Sequence, residues 1–536
     1  MRRSFVCLAV VAACILACGA SWAEEEKATK DKSALWEFGG GVKLAGVYRD
    51  TGFDHMFPRS GSSTGMSEFF IDALITLSLN IRISNTANLF VQLETQDDAF
   101  AGESHRVGDN NQIVNFEQGW LKVEEIFGQD VDISLKIGLM EVRFDTRNLG
   151  RDAFLLDVTG SENPFTGLPN LSARANGVSQ FTTHPVQSVV DSYGFTRNKS
   201  FGGNAWIHNY VGQSKNSEAG GAILTWAIGD DVLLDLGALT VMEGGLTVKD
   251  TNIFFLNFDF EFDLGGAEKA IRVADSFEDR SLVNIVAVAF LSEHSMVANV
   301  GLGFDLIFDV GRTLEFEIYG EAHYQYGGKY YTETDTSVVP ADRVLIRHDA
   351  HAAYAGMRVK IMDEGRIRPY LDISYWRISG DTGDVNEENG DFMSMENVDT
   401  LLILEGDELG FDIDCNYWAI KAEIGFRLPS ALNAISIRIT GGFFSLLNTP
   451  KDITYMNDPA ALYPSYAQEF DPDTRKDLGI EVDLRIAWEV SEEAKIFLAG
   501  GMLFNSTVLE NLSTMHNATD ASDSTFCALA GIELKF

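Results

Sequence analysis

From Phe69 to Ser84 the chain alternates residue by residue. Phe69, Ile71, Ala73, Ile75, Leu77, Leu79, Ile81 and Ile83 fall on one face, with Asp72, Thr76, Ser78, Asn80, Arg82 and Ser84 on the other. Between Met296 and Asp309 an apolar set (Met296, Ala298, Val300, Leu302, Phe304, Leu306, Phe308) opposes Asn299, Gly301, Gly303, Asp305 and Asp309. Leu314 to Gln325 sets Leu314, Phe316, Ile318 and Ala322 against Glu315, Glu317, Glu321 and His323. Leu478 to Glu489 repeats the pattern, with Glu481, Asp483, Arg485 and Glu489 on the polar side. A period of two predicts strands apolar on one face and polar on the other. Soluble sandwich strands alternate too, but usually stop at about five or six residues. Runs of this length predict strands that cross a lipid bilayer, apolar outward and polar inward.

The connections set the topology. Short polar turns fall at Asn85–Asn88, Gly128–Asp130, Gly229–Asp231, Gly311–Arg312, Asp363–Arg366, Pro429–Ala431 and Ser491–Ala494. Long polar stretches lie at Asp50–Gly65, Asp97–Gln112, Asp145–Asn204, Gly327–His348, Gly380–Asp414 and Thr449–Lys476. This asymmetry is that of an outer-membrane barrel, with tight periplasmic turns and long external loops. Requiring the connections to alternate sides assigns Gly203–Gln213 to the third long loop. Leu282–Ser292 and Met296–Asp309 are then joined externally, and Leu264–Ser281 forms one long periplasmic turn. The expected fold is an all-β transmembrane antiparallel barrel of about 18 strands, wide enough for an aqueous channel.

Composition adds the compartment and removes some functions. Arg2 and Arg3, an apolar run from Phe5 to Leu16 and Ser21-Trp22-Ala23 read as a cleaved signal peptide. Lipid attachment at Cys14 or Cys18 is the competing reading. The expected division is residues 1–23 as signal, 24–34 as a periplasmic segment and 35–536 as barrel, in the outer membrane of a two-membrane bacterium. A formal charge of -38 disfavours a nucleic-acid partner. Beyond the signal only Cys415 and Cys527 remain, too few for a disulfide framework.

The last strand alternates Phe526, Ala528, Ala530, Ile532, Leu534 and Phe536 with polar or small residues. An aromatic final residue makes Phe536 the expected contact with the barrel-assembly machinery. Trp36, Trp226 and Trp488 fall near periplasmic strand ends, where an aromatic girdle is expected. Lipid and lipopolysaccharide are the expected surroundings.

Several short motifs resemble a known family. Gly138-Leu139-Met140-Glu141 running into Val142-Arg143-Phe144 and Arg147 resembles the strand end and loop of the alginate-export-type outer-membrane porins. Arg368-Pro369-Tyr370-Leu371 leading to Ser379-Gly380-Asp381, and Leu478-Gly479-Ile480-Glu481-Val482-Asp483, are similar to two further motifs of that family. The resemblance implies an 18-stranded barrel passing anionic polysaccharide through a basic lumen, with no cofactor. The resulting candidate path is Glu141, Arg143, Arg147, Arg358, Lys360, Arg368, Asp372, Lys421, Arg427, Arg438, Glu481, Asp483 and Arg485.

The inner face departs from a uniformly basic lumen. Lys43, Arg82, Lys136, Arg358, Lys360, Arg368, Lys421, Arg427, Arg438 and Arg485 are matched by Asp72, Glu94, Glu117, Glu315, Glu317, Glu321, Asp372, Glu423, Glu481 and Asp483. Either a basic wall on the later strands guides anions, or the charges pair across neighbouring strands and stiffen the wall. The reading is therefore a porin for hydrophilic solutes, with anionic saccharide as one candidate cargo. A general diffusion porin, or a barrel enzyme or adhesin acting through external loops, is the alternative. No catalytic grouping is arguable, and His348-x-x-His351 lacks the helical context of a metal pair. The acidic stretch Asp381–Asp391 reads as a solvated loop. Asp145–Asn204, with Arg147, Arg151, Arg174 and Arg197, is the candidate for a loop folded into the pore.

Overall fold

In a computed structural model the chain forms a closed antiparallel barrel. The structure describes residues 36–49, 68–95, 114–128, 131–140, 219–229, 231–241, 251–262, 281–291, 295–310, 313–331, 344–361, 367–380, 388–389, 392, 400–405, 416–428, 435–447, 476–491, 493–505 and 524–536. The strands are β1 (Trp36–Arg49), β2 (Glu68–Ser84), β3 (Ala87–Thr95), β4 (Val114–Val123), β5 (Ile133–Met140) and β6 (Ala219–Ile228). They continue as β7 (Val232–Val241), β8 (Thr251–Phe262), β9 (Ser281–Leu291), β10 (Ser295–Val310), β11 (Leu314–Tyr331) and β12 (Val344–Ile361). The rest are β13 (Arg368–Ile378), β14 (Glu388–Asn389), β15 (Tyr417–Leu428), β16 (Ile435–Leu446), β17 (Asp477–Ser491), β18 (Ala494–Asn505) and β19 (Ser524–Lys535).

Each strand but β14 pairs with its two neighbours in chain order, β13 pairs with β15, and β1 pairs with β19. Eighteen strands therefore close the wall without a free edge. The two-residue β14 runs parallel to β12 at Arg347 and His348, above the point where β13 ends. At a strand spacing of about 4.8 Å and a tilt of about 40°, such a wall is about 36 Å across between backbones.

The expected turns fall between the strands, and β9 and β10 are joined across 292–294 on the external side. The stretch Gly327–His348 departs from the loop reading. Strands β11 and β12 stay paired up to Tyr331↔Val344, so this hairpin extends beyond its neighbours. The signal and lipidation readings, Gly203–Gln213, the long turn 264–280 and the loop 145–204 lie outside the described residues.

The outer face is apolar and exposed. Leu302, Ile318, Met357, Ile373, Ile424, Leu484 and Leu498 all point away from the lumen. Trp36, Trp226, Trp488 and Phe536 are exposed at the periplasmic end. Such a belt on a closed wall, with every ladder bond internal, is what a bilayer requires of a β protein. The protein is a transmembrane barrel of the outer-membrane type.

Inside, large rings lie over glycines directly opposite on the next strand. Phe255 covers Gly237, His323 covers Gly301, Tyr319 covers Gly356, Tyr370 covers Gly425 and Phe497 covers Gly531. A Cβ on any of these glycines would collide with its ring. The ring shields the bare backbone and pins the register. The closing seam uses the last residue: Gly40 N–H donates to the Phe536 carbonyl (3.0 Å) and Phe536 N–H to that of Gly40 (3.1 Å).

Candidate functional site

The ladder registers place inward side chains in rows around the wall. One row reads Glu317, Arg358, Asp372, Glu423, Thr440, Asp483 and Gly501 across β11, β12, β13, β15, β16, β17 and β18. The next row toward the periplasm reads Glu315, Lys360, Tyr370, Gly425, Arg438, Arg485 and Ala499. Acid stands beside base where Arg358 lies between Glu317 and Asp372 and where Lys360 meets Glu315, whereas Asp372 beside Glu423 and Arg438 beside Arg485 set like charges side by side.

Arg358 Nε donates to Asp372 (2.8 Å), and its Nη1 lies 3.6 Å from Glu317. Lys360 Nζ sits 3.0 Å from Glu315 and 3.5 Å from Glu317. The Tyr319 hydroxyl, carried over Gly356, donates to the other Asp372 oxygen at 2.5 Å. Tyr370, carried over Gly425, donates to Glu423, which also accepts from the Thr440 hydroxyl at 2.9 Å. On the earlier strands a polar chain runs from Thr225 to Asp235 (2.6 Å), Asn257 to Asp259 (3.2 Å) and Asn284 to Asn257 (2.7 Å). Pairing across strands thus claims Arg358, Lys360 and Asp372, as the rigid-wall reading expects.

A third row, one step further outward, is covered. Ser374, Lys421, Gly442, Glu481 and Leu503 are cross-strand neighbours, and over them lies the segment Thr400–Glu405 from the β13–β15 connection. Three backbone donors of that segment point at the wall. Leu402 N–H donates to Asp483 (2.8 Å), Ile403 N–H to Glu481 Oε1 (2.6 Å) and Leu404 N–H to Glu481 Oε2 (2.8 Å). Arg485 donates to the Thr400 carbonyl. Glu405 points back, accepting from Lys421, from the Tyr417 hydroxyl (3.1 Å) and from the N–H groups of Thr400 (3.1 Å) and Leu401 (3.2 Å).

Local sequence explains why the segment docks there. Gly479 adopts φ 125° in a bulge where Leu478 is skipped in the pairing with β16. That extra residue sets the phase that turns both Glu481 and Asp483 inward. Gly442 and Gly501 leave the space that Leu401 and Leu402 fill. Leu401 to Leu404 are at most 1% exposed. Lys421 Nζ stands 3.8 Å from the Trp376 ring centroid, and Trp376 stacks on Tyr354 at 4.5 Å. A buried cation is therefore held between a carboxylate and an aromatic face, the arrangement that offsets its desolvation. Nearer the rim the same connection sets Phe392 against His323 (6.4 Å between centroids) and hydrogen-bonds through Ser379 to Phe392 and Asn416.

The candidate path residues thus separate into groups. Lys421, Glu481 and Asp483 are inward and buried under the docked segment, with Arg485 half-buried beside them. Arg358, Lys360 and Asp372 are mutually paired on the wall. Arg427 meets Glu489 at 3.3 Å near the periplasmic rim. Arg438 is exposed and Arg368 half-buried, and neither has an ion pair among the described residues. Glu141, Arg143 and Arg147 lie outside the described residues. His348 and His351 face opposite sides of β12, His348 buried and His351 exposed, so they do not form a pair. Sequence reasoning missed Glu405 and the segment before it. The signal was present: Leu401-Leu402-Ile403-Leu404 is an apolar island in a polar stretch, and such a run in a loop needs a surface to bury it.

No protein-family model matches the chain, and no curated protein matches its sequence. Among solved structures it is similar to OprB of Pseudomonas putida (10% identity, 94% of each chain, TM-score 0.43). It is also similar to OccK2 of Pseudomonas aeruginosa in complex with glucuronate (8% identity, 94% of this chain and 98% of that one, TM-score 0.44). A BenF-like porin from Pseudomonas fluorescens Pf-5 gives 7% identity over 93% of this chain and 98% of that one, TM-score 0.41. These are likenesses of barrel outline and assign no role to any residue here.

Proposed function

We propose that the protein is an outer-membrane channel for small hydrophilic solutes, with the β13–β15 connection as its constricting element. The observation that carries this is the docking of Thr400–Glu405 inside the wall, held by Glu481, Asp483, Arg485 and Lys421. A lumen about 36 Å wide between backbones discriminates little by size unless something fills part of it. An apolar segment whose backbone is tied by charged groups to a rigid wall fills part of that width.

The charge pattern favours small solutes over a long polyanion. Arg358, Lys360, Lys421, Arg427 and Arg485 each have a carboxylate within 4.0 Å, so little uncompensated positive field remains along this wall to draw an alginate-like chain. Arg438, which interacts with nearby Glu423, and half-buried Arg368 are the cations of this wall with no carboxylate within 4.0 Å among the described residues, and they give the path a local preference for anionic groups. Planar-bilayer recording tests the reading. The purified protein should conduct, and shortening the segment 400–405 should raise single-channel conductance. Arg438→Gln should shift the reversal potential in a KCl gradient toward cations. A protein that inserts but does not conduct would refute the channel, and block by long uronate chains at low concentration would restore the polysaccharide reading.

A further inference from the structure

The lipid-facing surface is apolar along most of the barrel, but the external ends of β12 and β13 break the pattern. Arg347, Asp349 and His351 alternate outward on β12, and Arg377 is outward on β13, one residue from its end. The registers bring Arg377 beside His351, whereas Arg347 lies six residues beyond Ala353 on β12, about 20 Å further out at about 3.3 Å per residue. Arg377 is opposite Ala353, two residues from His351, and the hydroxyl of Ser379, two residues further along, accepts from the His351 backbone N–H at 2.9 Å.

The height of this group follows from β11. Its outward residues Phe316, Ile318 and Ala322 lead to Tyr324 and Tyr326, which are opposite His351 and Asp349. At about 3.3 Å per residue and a tilt of about 40°, the stretch from Phe316 to Tyr326 rises about 25 Å, the height of an outer-membrane apolar band. The group therefore sits at the external headgroup level. Tyr324, Tyr326, Tyr375 and Trp418 flank it as an aromatic rim.

Among the described residues the local charges leave one cation without a carboxylate partner. Asp349 is engaged by Arg347 at 3.2 Å and by the Tyr324 hydroxyl, and Arg347 also stands 5.4 Å from the Tyr326 ring centroid. Arg377 is exposed and has no carboxylate partner among the described residues. A cation facing acyl chains is costly unless it meets an anion at the interface. The outer leaflet of an outer membrane presents such an anion at this depth: the phosphate on the acylated glucosamine of lipid A.

We infer that the outward face formed by Arg377 and His351 is a docking site for a lipid A phosphate. Arg377 meets the phosphate as a two-pronged donor. His351 adds a ring N–H, and Tyr375 and Trp418 pack against the sugar and the first methylenes. The site lies on the opposite side of the wall from the lumen, so it stands or falls independently of the channel reading.

Native mass spectrometry of the full-length protein in detergent tests this with three probes: bisphosphorylated lipid A, lipid A stripped of its phosphates, and phosphatidylglycerol. The bisphosphorylated form should bind best. The Arg377→Gln variant should weaken it about tenfold, the loss of one charge-assisted contact. Arg377→Lys, which keeps a cation, should retain most of the affinity, and it serves as the reading should Arg377→Gln fail to give a heat-modifiable folded band. Equal binding of lipid A to the parent and to Arg377→Gln would overturn the site. So would phosphatidylglycerol binding as tightly as lipid A, since the surface would then attract any anionic lipid.

Discussion

Replacing Glu481 by Ala removes the acceptor for two backbone donors, Ile403 N–H and Leu404 N–H. A hydrogen bond to a charged group contributes about 1.5–3 kcal/mol, so the pair gives about 3–6 kcal/mol toward docking. Relief of repulsion between Glu481 and the neighbouring Asp483 moves the net effect to the lower end of that range. Against the loss stand the buried side chains of Leu401 to Leu404, each worth about 1.5–3 kcal/mol as an upper estimate. The segment should therefore loosen rather than leave. A change of about 3 kcal/mol raises the undocked fraction by roughly two orders of magnitude. In a planar bilayer, Glu481→Ala should show open-channel noise and brief higher-conductance states absent from the parent. The double variant Glu481→Ala/Asp483→Ala, which strips all three acceptors, should make the higher state dominant. Identical conductance and noise in the parent and the double variant, with folding intact on a heat-modifiability gel, would refute the role of these carboxylates in holding the constriction.

Other perturbations test other parts of the wall. Glu405→Ala leaves Lys421 buried without its carboxylate and should cost about 3–5 kcal/mol, read as a lower temperature for loss of the folded band; Lys421→Met should recover part of that loss. Gly356→Val puts a side chain where the Tyr319 ring crosses to Asp372 and should destabilise by about 1–3 kcal/mol, whereas the same change at Gly220, where a Cβ would meet only the Thr240 carbonyl at 3.9 Å, should leave the unfolding temperature nearly unchanged. Phe536→Ala removes the ring beside Phe38 at the closing seam (6.4 Å between centroids) and should lower the amount of assembled barrel in outer-membrane fractions. Equal amounts of the two proteins there would argue against Phe536 as an assembly signal.

The strands, their faces and their count were legible because each depends on a short-range rule. A strand in a bilayer must alternate, so Glu315, Glu317 and Glu321 could be placed inward from sequence alone. The connections must switch sides at every strand, which fixed eighteen even where one candidate segment was ambiguous. The local inwardness of Arg358, Lys421, Glu481 and Arg485 followed from the same period. What that period could not tell was whether an inward charge meets water, a neighbour or another part of the chain. Arg358 with Glu317 and Asp372 depends on the stagger between three strands, which no single strand encodes. The burial of Lys421 and Glu481 depends on a segment close to them in space but, in the case of Glu481, 77 residues away in sequence. Two bare glycines, Gly442 and Gly501, and the bulge at Gly479 make room for it and aim the carboxylates at its backbone. Periodicity is a property of neighbours along the chain; closure of a barrel brings distant inner faces together, and only then do their charges find partners.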